Sequence, residues 1–164
     1  MTPPVICIVG KSKSDKVRLM EGLIRELKTR GLRVGALKHH KHGDFEMDIE
    51  GKDTWKYARA GADTVAISSP TRLAVIKNVE GEMDIDEFCG RYFADSDIVL
   101  ADGFALSDKP RIIVADTCEE IELFERGCEV VAVVGKAGMG DINGVKNKIL
   151  SFLDKTGKTS SFSR

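Results

Sequence analysis

The chain has 164 residues, 42% hydrophobic and 31% charged, which suits one domain and is too apolar for a disordered chain. Twenty-five basic against twenty-six acidic side chains leave a formal charge of −1, so the overall balance points to neither nucleic acid nor an anionic membrane as a partner. No apolar run approaches the roughly 18 residues of a membrane span, and the opening MTPPVICIVG lacks a leader pattern, so the expectation is a cytoplasmic protein. Cys7, Cys89, Cys118 and Cys128 are widely spaced with no C-x-x-C pair; their apolar contexts predict four buried, reduced thiols rather than a zinc site or a disulfide framework.

In chain order, Pro4 to Val9 is a short apolar run ending at Gly10, the pattern of a buried strand. A helix is expected over 15–30, with Val17, Met20, Leu23, Ile24 and Leu27 on its apolar face and Gly31 as its stop. Residues 33–37 read as a second strand, followed by a polar stretch to Lys52 that is long enough to be functional. Asp53 is positioned to cap a short helix that Gly61 closes, and TVAISS and LAVIK read as two strands joined by the turn SPTR. Beyond them come a helix over 84–93, strands over 97–101 and 111–115, a helix over 118–126, a strand over 129–134 and a helix over 145–153. Residues 1–154 are therefore expected to form a single α/β domain, a mostly parallel sheet with helices on both faces, and 155–164 a flexible tail.

In open sheets of this kind ligands gather at the carboxyl ends of the strands. After the first strand stands Gly10-Lys11-Ser12-Lys13-Ser14-Asp15-Lys16-Val17, where a phosphate-binding G-x-x-x-x-G-K-[ST] loop belongs. Gly10 and Lys16 keep that spacing; Asp15 replaces the second glycine and Val17 the hydroxyl that would ligate magnesium. Either Asp15 or Ser14 is placed to cap the helix and occupy the N–H groups a phosphate would take. After the second strand, Lys38-His39-His40-Lys41-His42-Gly43-Asp44 gathers all three histidines, a pattern open to two readings: a divalent metal site completed by nearby acids, or a solvated patch facing phosphates. Asp102 closes a third strand as either an acid that reaches magnesium or a turn former before Gly103. The glycine-rich run 135–141 either contacts a base or only turns the chain.

These residues resemble the molybdopterin-guanine dinucleotide biosynthesis protein B (MobB) family of small P-loop GTP-binding proteins, with a degenerate Walker A loop. The resemblance rests on Lys38-His39-His40-Lys41-His42, then Gly51-Lys52-Asp53-Thr54, Ala60-Gly61-Ala62-Asp63, Asp102-Gly103-Phe104 and Gly140-Asp141-Ile142-Asn143 in order. It implies a P-loop NTPase-like fold and a cytoplasmic homodimer. It also implies an accessory role in which GTP with Mg2+, or bound molybdopterin, is held while a MobA-like guanylyltransferase makes the guanylylated molybdenum cofactor for molybdoenzymes. Residues Gly10, Lys11, Ser12, Lys13, Ser14, Asp15, Lys16 and Val17 would then hold nucleotide. His39, His40, His42, Lys52 and Asp53 would face the phosphates, and Asp102 would stand near the metal.

With Asp15 and Val17 in place, hydrolysis is expected to be very weak at most. Two other classes of function are consistent with the residues: a pure interaction protein of the same fold that has lost nucleotide binding, and a nickel-insertion-type metallochaperone GTPase carrying metal on its histidines.

Overall fold

The computed structural model describes residues 2–43 and 45–157. Its elements are β1 (Val5–Gly10), α1 (Lys13–Thr29), β2 (Val34–Lys38), α2 (Asp53–Arg59), β3 (Thr64–Ser68), β4 (Leu73–Lys77), α3 (Ile85–Tyr92), β5 (Ile98–Asp102), β6 (Arg111–Val114), α4 (Cys118–Glu125), β7 (Val130–Val134) and α5 (Ile142–Lys155). They form two compact units, one from Met1–His39 with Asp84–Arg164 and the other from His40–Met83. Among the described residues no helix is long and apolar enough to cross a membrane.

The larger unit is built on a five-stranded sheet in the order β2-β5-β1-β6-β7, every pairing parallel. Parallel strands covered on both faces read as continuous apolar runs, and VICIV in β1 shows why. Ile6 and Ile8 pack on one side with Leu19, Leu23 and Leu27 of α1 and Ile149 and Leu153 of α5. Val5, Cys7 and Val9 pack on the other with Ile85 and Cys89 of α3 and Ile121 and Phe124 of α4. Helices thus cover both faces, as the alternating pattern predicts.

Several boundaries differ from the sequence reading. Helix α1 starts at Lys13, not 15, and its buried face is Leu19, Met20, Leu23 and Leu27, while Val17 is 42% exposed. Helix α5 starts at Ile142 because the Asp141 carboxylate accepts the Gly144 N–H at 2.9 Å and caps it there. The glycine-rich run turns the chain as a single 3-10 helix, Lys136–Gly140. Lys155, assigned to the tail, closes α5, and 158–164 lie outside the described residues. Of the four thiols, Cys7 and Cys89 are buried, but Cys118 is exposed and Cys128 only half-buried. Cys118 is the first residue of α4, directly after its cap Thr117, and no residue of that helix is buried.

In the smaller unit β3 and β4 pair antiparallel from Thr64↔Lys77 to Ser68↔Leu73, the expected hairpin. Ser69 closes its turn by donating its N–H to the Arg72 carbonyl at 2.8 Å. Helix α2 precedes the hairpin, and Gly61 follows its end with φ of 103°, a conformation glycine takes without strain. Its cap residue, however, is Lys52, which makes no side-chain cap bond. Asp53 is instead the first helical residue, where its charge suits the positive end of the helix dipole and pairs with Lys56 at 3.6 Å.

Candidate functional site

The carboxyl end of β1 is where the sheet meets α1. Gly10 ends the strand at φ of 153°, and a Cβ there would collide with the carbonyl oxygen of Val114 in the neighbouring β6, so only glycine lets the two strands pair through this point. Only Lys11 and Ser12 separate the strand from the helix. Ser12, rather than Ser14 or Asp15, is the cap: its hydroxyl accepts the Asp15 N–H at 3.3 Å, and its carbonyl accepts the Lys16 N–H at 3.2 Å. The segment Lys13–Val17 is therefore the first turn of a helix and not an open loop. The early start follows from chemistry: serine is a strong cap, and Lys13-Ser14-Asp15 contains no glycine to resist helical backbone.

Lys16 projects from that first turn to the end of β5. Its Nζ donates to Asp102 Oδ1 at 2.8 Å, while Lys38, the last residue of β2, donates its Nζ to Asp102 Oδ2 at 2.6 Å. Strand order explains the meeting, since β5 lies between β2 and β1 and the register sets Lys38 beside Asp102. The Asp102 side chain is 7% exposed, Lys16 15% and Lys38 54%. Burial pushes the Asp102 carboxyl upward, but hydrogen bonds and charge from the two lysines outweigh it and hold it below the ordinary carboxylate range. Both carboxylate oxygens are bound to lysines, so Asp102 is not a turn former. The turn after it is made by backbone instead: Gly103 and Phe104 both have positive φ, and the Gly103 N–H donates to the Ile8 carbonyl at 3.0 Å.

His39 is tied to the same turn. Its N–H donates to the Asp102 carbonyl at 2.9 Å and its ring stacks on Phe104 at 4.7 Å between centroids. His40 and His42 belong to the smaller unit, where their rings lie 5.7 Å apart and His40 also meets Phe45 edge-on. Lys52 and Asp53 open α2 in that unit as well. Among the described residues no three of His, Cys, Asp and Glu come together as a metal-holding group; Asp44 lies outside them.

A family model described as molybdopterin guanine dinucleotide synthesis protein B, MobB, matches residues 5–136. The chain belongs to the MobB family. It is 28% identical over 133 residues to a probable molybdopterin-guanine dinucleotide biosynthesis adapter protein of Bacillus subtilis, covering 80% of this chain and 75% of that one. To the adapter protein of that name from Haemophilus influenzae it is 33% identical over 112 residues, 68% of this chain and 62% of the relative. A crystal structure of molybdopterin-guanine biosynthesis protein B superposes with a TM-score of 0.77 at 34% identity, over 92% of this chain and 99% of that one. The fold is thus the P-loop NTPase-like α/β arrangement of MobB.

On this MobB scaffold the donor set does not suit a resident divalent cation. Mg2+ takes oxygen ligands, yet Val17 supplies none and both oxygens of Asp102 are engaged by ammonium groups. Lys38 opens the Lys38-His39-His40-Lys41-His42 motif but was not among the residues expected to hold nucleotide or face the phosphates; its pairing with Asp102 comes from the β2–β5 register. A second group also escaped that reading. Asp116, just beyond β6, accepts the Lys136 N–H at 2.7 Å, and its own N–H donates to Glu120, whose other oxygen lies 3.5 Å from Lys11. This network ties the chain beyond β6 and β7 to Lys11 beside the cap.

Proposed function

We propose that this MobB chain is an accessory protein of molybdenum cofactor biosynthesis that binds the phosphates of GTP, or of molybdopterin itself, where β1 meets α1, and assists a MobA-like guanylyltransferase. The observation that carries the reading is the convergence of Lys16 and Lys38 on buried Asp102 beside the start of α1. Lysine ammonium groups and a helix N-terminus are together an anion-binding arrangement. The names of the relatives, adapter proteins of molybdopterin-guanine dinucleotide biosynthesis, support the accessory role. Turnover of GTP is negligible in this reading, because Val17 cannot ligate the metal on which phosphoryl transfer depends. Calorimetric titration with GTP tests it: heat that saturates in the wild type and vanishes in Lys16→Ala is expected, and no saturable binding in the wild type would sink it.

A second reading, an interaction protein of this fold without nucleotide, is favoured by the Ser12 cap, which already takes the Asp15 and Lys16 N–H groups. Both readings include a homodimer. A two-stranded sheet is marginal in water, and one face of β3–β4 leaves Leu73 71% and Val75 52% exposed side by side, an apolar face suited to a second copy.

A further inference from the structure

A polyphosphate at a strand–helix junction of this kind ordinarily arrives with a divalent cation, which neutralises it and is held by a hydroxyl and a nearby carboxylate. This chain departs from that pattern at both ends. Position 17 is valine, and the carboxylate of Asp102 is closed by ammonium groups at 2.8 and 2.6 Å. A cation entering there would have to displace a lysine and then lie against its positive charge.

We infer that Lys38 takes the place of the divalent cation, so that this site binds a nucleoside triphosphate without magnesium. The inference rests on the phosphate-binding reading above. Two ammonium groups share one carboxylate, leaving one positive charge in excess within a cluster whose acid is more than nine-tenths buried. The acid is thus over-matched, and with Lys38 about half in solvent the excess charge is open to an incoming anion. Each ammonium has three N–H donors and spends one on Asp102, so four remain for phosphate oxygens. Lys38 is the more exposed of the pair and comes from a different strand than the helix that carries Lys16, so the two approach a ligand from separate elements. The role of Asp102 is to position both lysines. Magnesium, which sheds its water reluctantly, has no comparable foothold here.

The test is GTP titration by calorimetry in EDTA and again in excess MgCl2, on the wild type, Lys38→Gln and Lys38→Arg, with melting curves to show that each variant folds. The wild type should bind with affinities within about threefold in the two buffers. In EDTA, Lys38→Gln should lose about tenfold or more, and Lys38→Arg, which keeps the charge, should stay near wild type. Wild-type affinity that rises more than about threefold with magnesium would overturn the inference and leave the phosphate-binding reading standing. Binding in EDTA that Lys38→Gln does not weaken would also overturn it. No binding of GTP in either buffer would overturn both.

Discussion

Lys16 and Asp102 are 86 residues apart in the chain and 2.8 Å apart in space, and Asp102 divides its two oxygens between Lys16 and Lys38. Removing the acid should therefore cost more than removing either base. Asp102→Ala strands two ammonium groups around a buried position and should lower the unfolding free energy by roughly 3–5 kcal/mol. Lys16→Ala leaves the carboxylate one partner and should cost about 1–3 kcal/mol. Lys38→Ala, at a half-exposed site, should cost less than about 1 kcal/mol. Urea unfolding of the three variants checks the order; a Lys38 variant less stable than the Asp102 variant would refute it.

The same cluster sets an acid limit on stability. The carboxyl of Asp102 is held below its ordinary range in the folded state, as is that of Asp97, where burial raises it but hydrogen bonds and charge from Arg33 prevail. A depressed folded pKa means that the unfolded chain binds protons first. The stabilisation is complete above the unfolded carboxylate value of about 3.9 and drains away as pH falls through the lower folded one. Urea midpoints measured from pH 5 down to pH 2 should fall in the wild type and fall less steeply in Asp102→Asn. Equal slopes would show that Asp102 carries no such linkage.

Asp15→Gly combined with Val17→Thr should create a magnesium-dependent component of GTP binding that neither change produces alone. The first removes a carboxylate from beside the phosphates, the second adds a magnesium ligand, and the metal couples them. Because Ser12 is the cap, Asp15→Gly leaves the helix start in place and costs only about 0.5–1 kcal/mol as an early-helix glycine. Calorimetry with and without magnesium measures the gain. If none appears in a folded double variant, the obstacle is the early start of α1 at Lys13, which these substitutions do not undo.

Alkylation should sort the thiols by burial. Cys118 is exposed and should be labelled first by iodoacetamide at pH 8, read out by mass spectrometry. Cys89 should resist until the chain unfolds, because burial, with Asp86 adding to it, pushes its thiol up to about 11. Cys7, raised by burial against a hydrogen bond with Ser107, should behave alike. Labelling of Cys89 ahead of Cys118 would contradict this order.

The apolar runs of β1 and β5 and the amphipathic period of α1 could be read directly, because each records burial along its own segment. The fold class followed from them. The residues that meet at the site could not be read in the same way. Lys38 stands out as the start of the histidine motif, but nothing local tells that parallel register sets it beside Asp102, 64 residues away. The histidines look like one cluster, yet His39 turns to Phe104 while His40 and His42 go with the smaller unit. Even the start of α1 depended on which of three candidate caps is used: Ser12, rather than Ser14 or Asp15, accepts from the helix, at the Asp15 N–H. Periodicity encodes which side of an element is buried; strand order and register decide which charges face each other, and those depend on contacts far apart in the chain.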